Sequence, residues 1–284
     1  MLAVVIVTYS AEAAMLEACV ASVVASGDAD HVIVVDNGGG AVADHDIELI
    51  RMPRNVGFGG GANAGFRRAT ELGAVAVALL NDDIEVDAGW LGPLHEALLE
   101  DAALGAVQPK LLLAGSVPAR VNSVGVSIGR DGAGTDVGYG EEDGSQFAKT
   151  RRIESFTGGA VLFRANFLKN TGGFDESYFL YYEDVDLGLR GQARGWRFRC
   201  ACASRVRHRG CTSTERAAER TMYLRERNRL WILFGHRPVG HIGRGVWLSV
   251  RRLRHHPRSL HARALIAGLA AAPRLIRSRL QRRA

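Results

Sequence analysis

The chain has 284 residues, 47% of them hydrophobic, and a mean hydropathy near zero, as expected for a globular protein with room for one large α/β domain and an appended region. Four cysteines and no leader-like N-terminus argue against a disulfide-bonded secreted protein, and no apolar run reaches the ~20 residues of a membrane-spanning helix. We therefore expect a cytoplasmic protein.

Strands alternate with helices in the first hundred residues. Strands are predicted at residues 3–7, 32–35, 47–52 and 75–80, with helices at 11–24 and 66–72, the second helix following a glycine-rich segment at 55–65. This alternation indicates βαβ units and a mostly parallel sheet, which is an α/β fold.

Acidic side chains end two of these strands. Asp36 follows the second strand, and Asn81-Asp82-Asp83 follows the apolar run 75–80. Because the carboxyl ends of parallel strands meet at one edge of a sheet, we expect both sites to line one cleft. Adjacent buried carboxylates are costly unless a cation shares them, which favours a divalent metal. Capping of the next helix is the alternative interpretation.

The second half is more irregular. Strands are predicted at residues 107–113, 121–128, 160–163 and 196–203, a helix at 185–194, and an exposed, mobile loop at 129–144. Glu183, Asp184 and Asp186 precede or begin that helix, where acidic residues also stabilise the helix dipole. Cys200, Cys202, His208 and Cys211 could form a zinc site, although the spacing lacks paired CxxC knuckles.

The charge of the chain changes sign along its length. From residue 205 onward there are 20 Arg and three Glu, whereas the preceding part has 16 basic and 27 acidic residues. Such a basic region indicates a polyanionic partner: anionic lipid head groups, lipid-linked phosphates or nucleic acid. Leu265, Leu269, Ala272, Ile276 and Leu280 fall on one helical stripe. That stripe fits either a membrane surface or packing on the domain.

Two nucleotide-binding alternatives fit less well. Gly57 to Ala62 matches the GxGxxA form of the dinucleotide fingerprint, but the fingerprint belongs at the first strand-to-helix turn, which here is Thr8-Tyr9-Ser10. A nucleotidyltransferase would need a glycine-rich phosphate loop at that same turn, and none is present.

Taken in order, a set of short blocks resembles the family 2 glycosyltransferases, especially the bacterial rhamnosyltransferase and galactofuranosyltransferase-like members. The blocks are Val4 to Tyr9, Val34 to Asn37, Asn55 to Asn63, Leu80 to Asp83, Gly158-Gly159, Gly173 to Glu176, Tyr182 to Asp186 and His208. The resemblance covers residues 3–229. It implies a GT-A fold at residues 1–229, with a nucleotide-sugar half (1–105) and an acceptor half (106–229), before a basic helical region at 230–284.

The resemblance also implies site residues. Thr8, Tyr9 and Asp36 would bind the nucleotide. Asn55, Gly57 and Asn63 would approach the diphosphate-sugar. The DXD-type motif is Asn81-Asp82-Asp83, in which Asn81 and Asp82 would contact the donor, Asp82 at its ribose. Asp83 and His208 would hold Mn²⁺ or Mg²⁺. Asp184 would be the general base, with Glu183, Gly158 and Gly159 bordering the acceptor. Asn81 stands where the family motif has Asp, which removes one charged ligand.

The function implied is an inverting, metal-dependent glycosyltransferase of cell-wall or polysaccharide biosynthesis. It would move a sugar, rhamnose being the first expectation, from a nucleoside-diphosphate sugar to a hydroxyl of a glycan, lipid-linked or natural-product acceptor. The basic region would bring it to the inner membrane face as a peripheral protein, and nucleic acid is disfavoured as a partner. The alternative is a non-catalytic nucleotide-sugar or nucleic-acid binding module that uses the Arg-rich region.

Overall fold

The computed structural model describes residues 1–40, 45–210, 218–254 and 257–281. Its strands are β1 Leu2–Thr8, β2 His31–Asp36, β3 Glu48–Arg51, β4 Ala76–Asn81, β5 Ile84–Val86, β6 Leu104–Leu113, β7 Arg120–Ser123, β8 Val126–Ile128, β9 Gly134–Asp136, β10 Arg151–Ile153, β11 Ala160–Arg164 and β12 Arg197–His208. Its helices are α1 Ala13–Ser26, α2 Phe58–Glu71, α3 Gly92–Glu100, α4 Ala165–Thr171, α5 Glu183–Gln192, α6 Ala218–His236, α7 Val239–Arg252 and α8 Arg258–Gln281.

Ten strands form one mixed sheet. The order is β10-β12-β6-β11-β4-β1-β2-β3, with β5 paired to β12 and β7 paired to β6. Strands β4, β1, β2 and β3 run parallel, whereas β11 lies antiparallel between β4 and β6. The fold is therefore the predicted α/β arrangement of a parallel half joined to a mixed half.

Strand β1 lies at the centre of the parallel half and is buried on both faces. Val4 and Ile6 belong to the apolar core that includes α1. Val5 and Val7 belong to the core on the opposite face, which includes α2. Since side chains alternate along a strand, a continuous apolar run is what a strand covered by helices on both sides requires.

Helix α2 begins at Phe58, which corrects the prediction of a helix from residue 66 after a glycine-rich loop. The glycines serve packing, because a Cβ on Gly61 would lie 2.9 Å from Val7 Cγ1 and one on Gly65 would lie 2.3 Å from Val5 Cγ1. Glycine therefore lets α2 approach β1 more closely than any other residue would.

The segment at residues 129–144 is more ordered than the predicted exposed loop. Strand β9 pairs with β8 within it, and the single strand expected at 121–128 is interrupted at Gly125, where φ is +127°. Near its end, Asp143 accepts a hydrogen bond of 2.6 Å from the buried Lys110 ammonium group. The prediction of an exposed loop is wrong at β9, which pairs with β8, and at Asp143, whose side chain is 7% exposed.

The basic C-terminal region is helical, as predicted. Helix α8 packs along α6, and at their contact a Cβ on Gly268 would lie 2.5 Å from Leu230 Cδ1. Ala264 and Leu275 of α8 are buried, while Leu269 and Leu280 of the predicted apolar stripe are exposed. The domain boundary at residues 229/230 stays a prediction, and it falls inside α6. None of the described helices combines the length and apolar character needed to cross a membrane.

Candidate active site

The edge formed by the ends of β1 and β2 carries Asp36 and Thr8 side by side, in register across the parallel pair. Asp36 is buried, and its two carboxylate oxygens accept hydrogen bonds from the Gly39 N–H at 2.8 Å and the Gly40 N–H at 3.1 Å. These contacts fix the carboxylate as an oriented acceptor at the end of the strand.

The start of the glycine-rich segment at residues 55–65, which is predicted to bind the diphosphate-sugar, is held at this edge by hydrogen bonds from and to Asn37. Its amide nitrogen donates to Gly57 O at 2.9 Å, and its amide oxygen accepts from Val56 N at 3.0 Å. Asn55 Oδ1 accepts from Gly57 N at 2.8 Å. Gly57 has φ of +85°, and a Cβ there would lie 2.3 Å from Phe179 O, so only glycine fits at this position.

Asn63 lies deeper in α2 and is engaged in structural contacts. Its Nδ2 donates to Phe174 O and to Glu176 Oε1, both at 3.0 Å, and its Oδ1 accepts from Phe174 N at 2.9 Å. These bonds tie α2 to the segment that precedes α5. Its contact with a donor sugar stays a prediction.

Asn81-Asp82-Asp83 forms the turn between β4 and β5, at the same edge as Asp36. Burial raises the pKa of Asp82 to about 6, and the neighbouring Asp83 charge adds to this, while hydrogen bonds from the Thr8 hydroxyl and the Tyr9 N–H oppose it. The first strand and the acidic turn are thus joined directly, and the Tyr9 side chain is exposed beside them.

Asp83 and His208 meet because β5 pairs antiparallel with the end of β12, which places His208 opposite Ile84. The His208 Nε2 atom lies 3.1 Å from Asp83 Oδ2. On its other side, His208 Nδ1 lies 2.9 Å from Asn122 Oδ1, an acceptor to which the ring N–H donates. In the neutral ring this leaves the Nε2 lone pair directed at a carboxylate.

Asp83 Oδ2 and His208 Nε2 are two acceptor atoms that face each other in a buried position, which suits a cation bound between them. Asp83 is 5% exposed, and its Oδ1 atom and His208 Nε2 are both buried without a hydrogen-bond partner among the described residues. Oxygen and imidazole nitrogen are ligands that Mn²⁺ and Mg²⁺ sites accept, and a ring held through its other nitrogen is typical of metal-bound histidine. The pair therefore fits the predicted divalent metal.

Hydrogen bonds link Asp184 to the Asn81-Asp82-Asp83 turn through the backbone of Gly158 and Gly159. Its Oδ2 atom accepts from Gly158 N at 2.9 Å, and its Oδ1 atom from Val185 N at 2.7 Å. The next carbonyl, Gly159 O, accepts from Asn81 N at 2.9 Å. Burial raises the pKa of Asp184 to about 6, with a contribution from the Asp136 charge, against the two N–H donors.

Glu183 lies beside Asp184 at the start of α5. Its side chain is buried, and Oε2 has no hydrogen-bond partner in the part of the chain that the structure describes. Burial, reinforced by the Asp184 charge, raises the pKa of Glu183. Two adjacent carboxyl groups with raised pKa values at one cleft are typical of acid–base chemistry.

Asp136 is a site residue that the sequence did not indicate. It ends β9, its Oδ1 atom is buried without a hydrogen-bond partner among the described residues, and burial raises its pKa. Its charge acts on Asp184, and the charges of His208 and Arg225 act on it. Nothing local distinguishes this aspartate from the others in a Gly- and Asp-rich stretch, so only its pairing reveals it.

Asn228 is a second such residue. The segment before α5 has positive φ values at Phe179, Tyr181 and Tyr182, which are unfavourable for side chains with a Cβ. Asn228 on α6 is fully buried, and its amide nitrogen donates to three carbonyls of this segment, at 3.0, 2.9 and 2.7 Å (Tyr178, Leu180 and Tyr181). The C-terminal region thereby holds the backbone that leads into Asp184.

The zinc interpretation of the cysteines is not favoured by the geometry. Cys200 and Cys202 are buried with their sulfur atoms 3.6 Å apart, and Cys211 lies outside the described residues. Among the residues described, no cluster of three or more His, Cys, Asp or Glu side chains is arranged to hold a metal.

Comparison with known proteins agrees with this geometry. Residues 3–111 match the sequence model of Glycosyl transferase family 2. The O-antigen biosynthesis protein RfbC of Myxococcus xanthus is 33% identical over 136 residues, 45% of this chain and 10% of that protein. The N-acetylglucosaminyl-diphospho-decaprenol L-rhamnosyltransferase of Mycobacterium tuberculosis H37Rv is 28% identical over 213 residues, 65% of this chain and 68% of that protein.

Solved structures share the fold. GalNAc-T7, solved with UDP, GalNAc and Mn²⁺, superposes with a TM-score of 0.62 at 13% identity over 82% of this chain and 47% of its own. The mannosyltransferase PcManGT of Pyrobaculum calidifontis, solved with GDP-Man and Mn²⁺, superposes with a TM-score of 0.53 at 14% identity, over 96% of this chain and 86% of its own. The fold is thus that of the GT-A transferases.

The likeness to glycosyltransferase family 2 thus covers strands β1 to β6 of this chain. The chain spans only a tenth of the length of RfbC and less than half of GalNAc-T7.

Proposed function

We propose that the protein is an inverting, metal-dependent glycosyltransferase that moves a sugar from a nucleoside-diphosphate sugar to an acceptor hydroxyl. The observation that carries this proposal is the hydrogen-bonded path from Asp184 through Gly158-Gly159 to Asn81, which sets a carboxylate of raised pKa beside the acidic turn. The rhamnosyltransferase relative supports rhamnose as the sugar.

In this proposal the donor lies along the edge formed by β1, β2 and β4. Asp36 accepts the N–H of a pyrimidine base, since its oxygens are already oriented by two backbone donors. Thr8, Tyr9 and Asp82 line the ribose, and the Asn55–Gly57 turn with the start of α2 lies along the diphosphate-sugar. Asn63 and Asn81 complete the predicted donor set.

In this proposal Asp83 and His208 would hold a divalent ion. Such an ion would supply positive charge to offset the negative charge that develops on the leaving diphosphate. Asn122 orients the His208 ring so that Nε2 remains available.

Asp184 acts as the general base. The acceptor oxygen forms a bond to the anomeric carbon while the bond from that carbon to the diphosphate oxygen breaks, and its electron pair leaves with the diphosphate. The acceptor proton passes to the Asp184 carboxylate. One displacement by one nucleophile inverts the anomeric configuration, and Glu183 with the Gly158-Gly159 backbone borders the acceptor.

Asp184→Asn tests the assignment, because it removes the proton acceptor and keeps the shape. We expect donor affinity, measured by calorimetry with a nucleotide sugar and Mn²⁺, to stay near the wild-type value while turnover falls by about 10²- to 10⁴-fold. Glu100→Gln removes an exposed carboxylate of α3 and serves as the matched control. Unchanged turnover in Asp184→Asn would move the base elsewhere. Donor binding by the wild type without transfer or hydrolysis would instead indicate the binding-module alternative.

We also propose that the acceptor is lipid-linked and that the protein works at the inner membrane face as a peripheral protein. One face of α7 is exposed and carries Trp247 and Val250 together with Arg244 and Arg251. Aromatic and apolar side chains bordered by arginines suit the interface of an anionic bilayer.

A further inference from the structure

A cavity of about 520 Å³ lies between the segment that leads into α5 and the three C-terminal helices. Its lining includes Tyr182, Met222, Arg225, Arg229, Arg252 and His261. The donor site proposed above uses none of these side chains. We infer that this cavity binds the diphosphate group of a lipid-linked acceptor, an inference that rests on the proposed function.

The charge of the lining favours an anion. Three arginines face one acidic residue, Glu226, which gives a net charge of +2 with His261 neutral. Glu226 is buried and is already paired with Arg229 at 2.8 Å and with Arg252. The cationic lining therefore exceeds what the cavity's own carboxylate neutralises.

Arg225 is the arginine placed to receive a ligand, because Arg229 and Arg252 are both paired with Glu226. Arg229 is 2% exposed and donates to Glu226, Ser249 and backbone carbonyls. Arg225, in contrast, is exposed, and its guanidinium carbon lies 4.5 Å from the centre of the Tyr181 ring. A guanidinium stacked on a ring keeps its N–H groups in its own plane, where they can bind phosphate oxygens in pairs.

His261 supplies an independent observation. Its side chain is 8% exposed, it lines the cavity, and its Nδ1 atom is buried without a hydrogen-bond partner among the described residues. A buried ring nitrogen left unpaired costs free energy that a hydrogen-bonding ligand recovers. His261 therefore contributes to the cavity wall a polar side chain whose Nδ1 atom the described protein groups do not satisfy.

The cavity adjoins the acceptor side of the active site. Tyr182, on its wall, immediately precedes Glu183 and Asp184. Arg225 also lies close enough to Asp136 for its charge to act on that carboxyl group. An acceptor with its hydroxyl at Asp184 would therefore direct a phosphate group attached to the same sugar towards these arginines.

The first measurement is binding of inorganic pyrophosphate by calorimetry in metal-free buffer, so that the Asp83–His208 pair contributes no bound metal. We expect Arg225→Gln to weaken binding by about tenfold or more, as removal of a charge-assisted hydrogen bond does. Arg220→Gln is the matched control, because Arg220 is also exposed and lies over a ring, that of Phe179 at 4.5 Å, and does not line the cavity. Equal effects of the two variants, or no pyrophosphate binding by the wild type, would overturn the inference.

The second measurement compares two acceptors, N-acetylglucosamine linked by diphosphate to a short polyprenyl chain and an uncharged alkyl glycoside of the same sugar. Arg225→Gln should raise KM about tenfold for the first acceptor and leave KM for the second and for the donor unchanged. A rise in the donor KM instead would assign the anion site to the donor diphosphate and overturn the inference. Should the wild type transfer no sugar while Arg225→Gln still loses pyrophosphate binding, the proposed function fails and the anion site stands.

Discussion

His208 presents an unpaired Nε2 atom to Asp83, and Asn122 holds the ring from the opposite side. His208→Ala removes one of the two proposed protein ligands. We therefore expect the Mn²⁺ concentration for half-maximal activity to rise about tenfold or more, with partial recovery of activity at excess metal. Titration of activity against metal gives the answer.

His31→Ala provides the control, since His31 lies at the other end of β2 and pairs with Glu48 at 2.9 Å. If His208→Ala and His31→Ala give the same metal dependence as the wild type, His208 is not a ligand.

Asp184 and Asp136 make a second residue-scale prediction. Burial raises the pKa of Asp184 to about 6, and the negative charge of Asp136 contributes. A base works when deprotonated, so kcat/KM should fall about tenfold per pH unit below pH 6. Asp136→Asn removes a negative neighbour, which should stabilise ionised Asp184 and move this acid limb to lower pH.

The measurement is a pH profile of kcat/KM for the wild type and Asp136→Asn, with Glu100→Gln as the distant carboxylate control. An acid limb that shifts upward in Asp136→Asn, or that does not move, contradicts this account of the Asp184 environment.

At the scale of elements, the backbone before α5 depends on α6. Three residues of this segment have positive φ, and Asn228 binds three of its carbonyls. Asn228→Ala leaves these buried carbonyls without that donor. We expect turnover to fall at least about tenfold, because a displaced general base is poorly oriented, and stability to fall by about 1–3 kcal/mol.

Kinetics and thermal unfolding measure both effects, and donor affinity should be retained because the donor edge is formed by other strands. Asn170→Ala is the control, since Asn170 is an exposed amide that accepts from Trp196 Nε1 at 3.0 Å. Wild-type turnover in Asn228→Ala would show that the segment keeps its conformation unaided.

Helix α2 shows how an element can be misread from sequence. Its first turns contain Gly59, Gly60 and Gly61, residues that normally predict a loop. A Cβ at these positions would lie 3.0 Å from Phe174, 2.8 Å from Val56 and 2.9 Å from Val7 of β1, respectively. Tertiary contact therefore outweighs the weak helix propensity of glycine.

At the scale of the whole molecule, the exposed face of α7 predicts membrane association. Trp247 is 54% exposed and Val250 is 47% exposed, with arginines on the same face. Trp247→Glu should sharply reduce flotation with vesicles containing phosphatidylglycerol, because it places a negative charge at an apolar anchor beside anionic lipid.

Leu99→Glu is the control, since Leu99 is also an exposed apolar residue, at 72%, and lies on α3. Flotation that ignores Trp247→Glu, or that is the same with uncharged phosphatidylcholine vesicles, counts against the membrane proposal.

Local sequence patterns predicted the alternation of strands and helices in the parallel half, the acidic ends of β2 and β4, a helix over most of α5 and the basic helical region. These features have local causes: continuous apolar runs, polar residues at strand ends and a charge imbalance. The family resemblance assigned roles to residues at those positions.

Which distant side chains meet depends on the folded arrangement of the strands and helices. His208 reaches Asp83 through the pairing of β12 with β5, Asp136 reaches the site through the pairing of β9 with β8, and Asn228 reaches the segment before α5 from α6. Such contacts depend on strand register and helix docking, and Asp83 and His208 are more than a hundred positions apart in the chain. No local sequence pattern encodes such contacts.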